Sequence, residues 1–201
     1  GIFATTASPP GWTTFGNLNL SNRTVGVLNP NTTTLYTAAV PHGSNVGVVF
    51  LLDNFANQAQ FTNQPAGMQQ TLAATLQPAT RYTLSVAVGN IANDVNPPHN
   101  QFQFDGFPGY RVDLLAGGVI LASDVNTLLP PAGDFVTATI VIDIGTSHPQ
   151  AGLPLGIRLV NQNGAAGLEV NFDDVHLDAL SPWTDLGQAK PGSAGSPLLR
   201  G

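Results

Sequence analysis

Glycine and proline interrupt this chain about every ten residues, the spacing of short strands joined by tight turns, and no other feature constrains its fold as much. There are 22 Gly and 16 Pro in 201 residues. The segments between them alternate. In Arg81-Tyr-Thr-Leu-Ser-Val-Ala-Val88, Tyr82, Leu84, Val86 and Val88 share one parity and polar or small residues share the other. That is the pattern of a strand with one buried face. Phe135–Asp143 and Leu155–Asn161 behave the same way. Val46–Leu52 is an unbroken apolar run and predicts a central strand buried on both faces. No stretch of helical length holds a 3.6-residue period. The prediction is an all-β protein, a jelly-roll β-sandwich of two antiparallel sheets.

Composition narrows the function. Apolar residues make up 42%, enough for a core, while charged residues are only 9%, far below the roughly 25% of an average domain. Asn, Gln, Thr and Ser supply the polar surface, where they find hydrogen bonds at little desolvation cost. This texture suits a secreted or cell-surface protein. Six Lys and Arg lie scattered in a chain of net charge −6, so no basic stripe exists to hold nucleic acid. The apolar runs are too short to span a membrane. Cysteine is absent, which removes disulfides and thiolate metal sites. Residues 1–180 read as the sandwich. From Ser181 the texture changes to Ser-Pro-Trp-Thr-Asp-Leu-Gly-Gln-Ala-Lys-Pro-Gly-Ser-Ala-Gly-Ser-Pro197, so residues 181–201 read as a linker or docking tail.

Three groups of residues could carry chemistry. In Leu168-Glu-Val-Asn-Phe-Asp-Asp-Val-His-Leu-Asp178, Val170 and Phe172 share one parity and Val175 and Leu177 the other. Parity changes within a strand only at a bulge, which places the break at Asp173-Asp174. Adjacent carboxylates repel unless solvated or neutralised, and hard oxygen ligands favour Ca²⁺ there; an ordinary solvated pair is the alternative. The second group is aromatic. Phe107 and Tyr110 flank Pro108-Gly109, and Trp12 lies in Pro9-Pro-Gly-Trp-Thr-Thr-Phe15. These rings either stack on a sugar or plug the end of the sandwich, with Arg111 reaching Asp105 or Asp113. The third group is carboxylates outside the pair: Asp53, Asp94, Asp105 and Glu169 offer acids in no diagnostic arrangement. His42, His99, His148 and His176 show no zinc-ligand spacing.

Several strings together carry a resemblance. They are Pro9-Pro-Gly-Trp-Thr-Thr-Phe15, Gln70–Leu84, Val88-Gly-Asn90, Gly106-Phe-Pro-Gly-Tyr-Arg-Val-Asp-Leu-Leu-Ala-Gly117, Leu155–Val160 and Phe172-Asp-Asp-Val175. In this order and spacing the chain resembles the Stig cyclases, secreted calcium-binding jelly rolls related to carbohydrate-binding modules. The resemblance implies a buried general acid that starts rearrangement and cyclisation of an indole-isonitrile substrate. It places that acid at Asn171, an active-site Tyr at Val48, a product-steering aromatic near Ile91 and a calcium ligand at Asp173. An amide cannot donate and recover a proton, so this cyclisation is expected to be lost.

Three functions follow in order. The first is a non-catalytic extracellular calcium-binding module that holds a glycan or packs into a surface assembly. The second is a structural subunit, a homo-oligomer built through the C-terminal tail or through the slot of a first strand missing before Gly1-Ile-Phe-Ala4. The third is a Stig-cyclase-like enzyme acting on a hydrophobic substrate, with Asp53, Asp94 or Glu169 as its acid.

Overall fold

The computed structural model describes residues 8–18, 23–30, 35–51, 64–92, 106–164 and 168–181. Their strands are β1 (Thr13–Phe15), β2 (Arg23–Leu28), β3 (Val46–Leu51), β4 (Ala66–Thr75), β5 (Thr80–Asn90), β6 (Tyr110–Ala116), β7 (Val119–Val125), β8 (Asp134–Ile144), β9 (Pro154–Asn161) and β10 (Glu169–Leu180). They form two five-stranded antiparallel sheets, β1-β4-β9-β6-β7 and β2-β3-β10-β5-β8, a jelly-roll β-sandwich as the alternation predicts. No helix among the described residues is long and apolar enough to cross a membrane. The tail from Pro182 and residues 1–7 lie outside the described residues.

The period-2 segments do what their parity requires. Tyr82, Leu84, Val86 and Val88 of β5 enter one core with Val112 and Leu114 of β6, Leu159 of β9 and Val170 and Phe172 of β10. The apolar run at β3 is buried on both faces. Its Val49 and Leu51 join that core, whereas Val46 and Val48 enter a second cluster with Leu28, Leu35, Val40 and Ile91. The β6–β7 hairpin turns on Gly117 and Gly118, at φ +56° and +81°, left-handed values that a two-residue type I′ turn demands and glycine adopts without strain.

Two details fix β10, the strand that matters most below. Asn161 of β9 is fully buried. Its Nδ2 donates to Val49 O at 3.0 Å and Leu168 O at 3.1 Å, and its Oδ1 accepts from Asn163 N at 2.7 Å. One amide thereby ties β9 to both β3 and the start of β10 in the opposite sheet, and every polar atom it buries is paired. Further along, β10 shifts register against β5 between Asp173 and His176, and Asp174 takes φ +48°. The parity break in the sequence is this bulge.

Candidate active site

Upstream of the bulge, Val170 and Phe172 face the inter-sheet core, so the intervening Asn171 and its neighbours Glu169 and Asp173 belong to the outer face of the β2-β3-β10-β5-β8 sheet. Register places Gly26, Val48, Asn171, Gly89 and Phe135 side by side across that face. Thr24, Phe50 and Glu169 form the adjoining row. An outer face is normally wet, but here residues 35–40 cross it. Ala92 N donates to Leu35 O at 2.9 Å and Thr37 N donates to Gly133 O at 2.9 Å, which pins the crossing on either side of Tyr36. Leu35 and Val40 then bury the second apolar cluster, against which Tyr36, Phe50 and Phe135 pack.

Glycine makes room for the ring nearest the polar row. A Cβ at Gly89 would stand 2.4 Å from Cε1 of Phe135, so the ring occupies the space a side chain would fill. Tyr36 stacks on it with centroids 4.6 Å apart and planes at 26°.

Beneath these rings lies a continuous polar chain. The Tyr36 hydroxyl donates to Asn171 Oδ1, and Asn171 Nδ2 donates to Glu169 Oε1 at 2.8 Å. Glu169 is 1% exposed, and its other oxygen, Oε2, has no hydrogen-bond partner among the described residues. A carboxylate so placed loses its hydration and gains one donor. Burial therefore pushes the Glu169 carboxyl up to about 7, against the smaller lowering effect of the Asn171 amide. Burial first, then the charges of Glu169 and Asp173, hold the Tyr36 phenol well above its ordinary value. Tyr36 is thus a fixed donor at neutral pH, while Glu169 is poised to hold or release a proton there.

The structure redistributes the residues singled out from sequence. Asn171 is an amide as expected, and a buried carboxyl, Glu169, stands two residues earlier on the same face, bonded to that amide. Val48, the apolar residue at the family's Tyr position, is buried in the second cluster, and a phenol reaches Asn171 from Tyr36, on a different segment. Ile91 lines the same cluster. Asp53, Asp94 and Asp105 lie outside the described residues. Sequence reasoning missed Tyr36 altogether, because nothing in Leu35-Tyr-Thr-Ala-Ala-Val40 signals a partner 135 positions away.

For Tyr110 the sugar-stacking alternative gives way to core packing. Tyr110 is fully buried, its hydroxyl donating to Asp124 Oδ1 at 2.9 Å. Phe107 lies 6.3 Å from it at 51°, and both Phe107 and Trp12 pack on the main core. Arg111 Nε is bound to Asp113 Oδ2 at 3.1 Å. Tyr110 is thus an interior residue, while Phe107 and Trp12 are partly buried against the core.

At the bulge, Asp173 Oδ2 accepts from His42 N at 2.9 Å and Oδ1 from Asp174 N at 2.8 Å. Asp174 Oδ1 pairs with His176 Nε2 at 2.7 Å. Among the described residues no group of three or more His, Cys, Asp or Glu gathers; Asp173 and Asp174 bring together carboxylate oxygens of the kind that calcium takes alongside backbone carbonyls.

Fold and site together define a jelly-roll sandwich with a buried carboxyl on one covered outer face, among apolar and aromatic side chains. The chain belongs to the HpiC1-like cyclase family, which it matches over residues 1–178. Among solved structures it is similar to the Stig cyclase Fisc from Fischerella sp. TAU in complex with (3Z)-3-(1-methyl-2-pyrrolidinylidene)-3H-indole, with 38% identity, TM-score 0.74 and coverage of 89% of this chain and 88% of that one. It is equally similar to a cyclase from Fischerella sp. TAU in complex with 4-(1H-indol-3-yl)butan-2-one, at 38% identity and TM-score 0.73, covering 88% of each chain. A bacteriophage CBA120 tailspike domain at 14% identity and TM-score 0.51, covering 85% of this chain and 20% of that one, shares the fold alone. No curated protein matches the chain. These findings overturn the expectation of a non-catalytic module that binds glycan or builds a surface assembly: the family is one of enzymes, with relatives that hold indole ligands.

Proposed function

We propose that this protein is a Stig-type cyclase that isomerises an indole-isonitrile substrate, with Glu169 as the general acid. The observation that carries the reading is the buried Glu169 carboxyl, whose Oε2 has no hydrogen-bond partner among the described residues, on the face where Tyr36, Phe50 and Phe135 pack. Electron-rich aromatic substrates need a proton donor that stays protonated near neutral pH, and a desolvated carboxyl provides one. The acid lends a proton to start the rearrangement and takes one back when the cyclised cation is discharged. The sum is an isomerisation with no change in mass. Apolar walls exclude water that would otherwise capture the cation.

Support comes from two sides. The relatives that bind (3Z)-3-(1-methyl-2-pyrrolidinylidene)-3H-indole and 4-(1H-indol-3-yl)butan-2-one have flat, largely apolar ligands, and the rings here offer flat apolar partners. Glu169 is also the only glutamate in the chain, and a longer side chain two positions earlier brings a carboxyl back to the place where Asn171 removed one. The deciding experiment incubates the protein and Glu169→Gln with an indole-isonitrile substrate and follows isomeric products by chromatography. Wild-type turnover with an inert variant is expected; turnover by both removes Glu169 from the role.

Gly89 supplies an independent check on where the ligand sits. Gly89→Ala drives Cβ into the Phe135 ring and displaces the Tyr36 stack, an overpacking worth about 1–3 kcal/mol. The dissociation constant for 4-(1H-indol-3-yl)butan-2-one, read by calorimetry, is expected to rise about tenfold or more. Unchanged affinity in a folded variant would place the ligand elsewhere.

A further inference from the structure

The polar chain contains a choice that Glu169 does not make for itself. A protonated carboxyl and an asparagine amide can meet in two ways. If Asn171 turned Oδ1 toward Glu169, the acid would donate its proton to the amide and the proton would be tied up. If Asn171 turns Nδ2 toward Glu169, that N–H occupies Oε1 as an acceptor and leaves the acid proton on Oε2. The structure holds the second arrangement: Nδ2 is 2.8 Å from Oε1, and Oε2 is the oxygen without a partner. What selects it is Tyr36, whose hydroxyl donates to Oδ1 and so keeps that end of the amide turned away from the acid.

We propose that Tyr36 and Asn171 are positioning residues, the phenol fixing the direction of the Asn171 amide so that Glu169 presents its proton on Oε2. The inference rests on the reading of Glu169 as the acid. The phenol is well placed to act this way because its segment is held on both sides. Leu35 O accepts from Ala92 N, Thr37 donates to Gly133 O through both N, at 2.9 Å, and Oγ1, at 3.1 Å, and the ring is stacked on Phe135. Around Glu169, β3 contributes Val48 and Phe50, and the chain at the end of β5 contributes Gly89 and Ile91, none of them titratable. Among the described residues the titratable groups nearby are Tyr36 on the crossing segment and Asp173 on β10 itself. Tyr36 makes no hydrogen bond to Glu169 among those described; its partner is the amide. Its influence therefore passes through Asn171, and removing Asn171 must abolish it.

Because Glu169 is the only glutamate, cell-free synthesis with [5-¹³C]glutamate gives one carboxyl resonance whose titration can be followed without any ligand. Wild type, Tyr36→Phe, Asn171→Leu and the double variant are compared, with Asn171→Ala replacing the leucine variant if that one does not fold. In Tyr36→Phe the amide is free to turn and accept the acid proton, which favours the protonated form; the midpoint is expected to rise by about one unit. Asn171→Leu removes the donor to Oε1 and also raises it. In the Asn171→Leu background, adding Tyr36→Phe is expected to leave the midpoint unmoved, the non-additivity of residues acting in series. With an indole-isonitrile substrate, kcat of Tyr36→Phe should fall about tenfold or more with KM little changed, and no further fall should appear in the double variant. An unmoved midpoint in Tyr36→Phe, or equal shifts in both backgrounds, would overturn the proposal. Its failure is distinguishable from failure of the acid assignment: an active Glu169→Gln removes the acid, whereas an inert Glu169→Gln alongside additive Tyr36 and Asn171 effects removes only the positioning.

Discussion

Glu169→Gln is expected to lower kcat by about 10²–10⁴-fold, the range that a positioned general acid contributes, while leaving affinity for 4-(1H-indol-3-yl)butan-2-one within about twofold. The substitution isolates the proton. Glutamine has the length of glutamate, and its side-chain oxygen can accept the Asn171 Nδ2 hydrogen bond that Glu169 Oε1 accepts now. The rings of Tyr36 and Phe135 and the apolar cluster beneath them are untouched. What disappears is the ionisable O–H at the position of Oε2. A general loss of structure would weaken ligand binding and turnover together; loss of the acid separates them. Calorimetry for binding and single-turnover kinetics for the chemical step give the two numbers.

The same variant carries a second large effect, on stability. Unfolded, the Glu169 carboxyl titrates near 4.5; folded, burial moves it to about 7. Between those values the folded chain keeps a proton that the unfolded chain has released, so stability falls as pH rises through the window and levels off above it. Two and a half units correspond to about 3 kcal/mol. Glutamine has no such dependence. The stability of Glu169→Gln minus that of wild type is therefore expected to grow by about 3 kcal/mol between about pH 4 and pH 8, measured by urea denaturation at both ends. Titrations shared by the two proteins cancel in this difference. A difference that stays constant with pH would show that Glu169 is not desolvated in the folded state. The effect also illustrates how a site can hold a strained group at the expense of the fold around it.

The sandwich was legible because its signals are local. Alternation from Arg81 to Val88 assigns one face to the core with no knowledge of the partner sheet, and the parity change from Phe172 to Val175 locates the bulge within β10. The candidate site was legible only in fragments. Asn171 and Val48 could be matched to functional positions, and they do neighbour each other across β3 and β10. Their side chains alone suggested an enzyme that had lost its acid. Parity correctly puts Glu169 on the face away from Val170 and Phe172, and by that rule it is a solvent-facing residue. It is buried because residues 35–40 cross the outer face, and that crossing is held by hydrogen bonds to Ala92 and Gly133, far away in sequence. Burial of this kind leaves no periodicity. The nearest sequence signal was the uniqueness of Glu169 in a chain whose other acids are all aspartates. For Tyr110 and Phe107 the local turn left two readings open, and the long-range partner decides Tyr110: it finds Asp124 across the β6–β7 pair and is drawn inside.

The central claim, that a buried Glu169 delivers the proton, is tested most directly by the pH dependence of the single-turnover rate of the wild-type enzyme on an indole-isonitrile substrate. A general acid acts in its protonated form, so the rate should be level at low pH and fall tenfold per unit once pH passes about 7, where the Glu169 carboxyl ionises. A rate that stays level through pH 9, or that already falls near the ordinary carboxyl value of about 4.3, would contradict it.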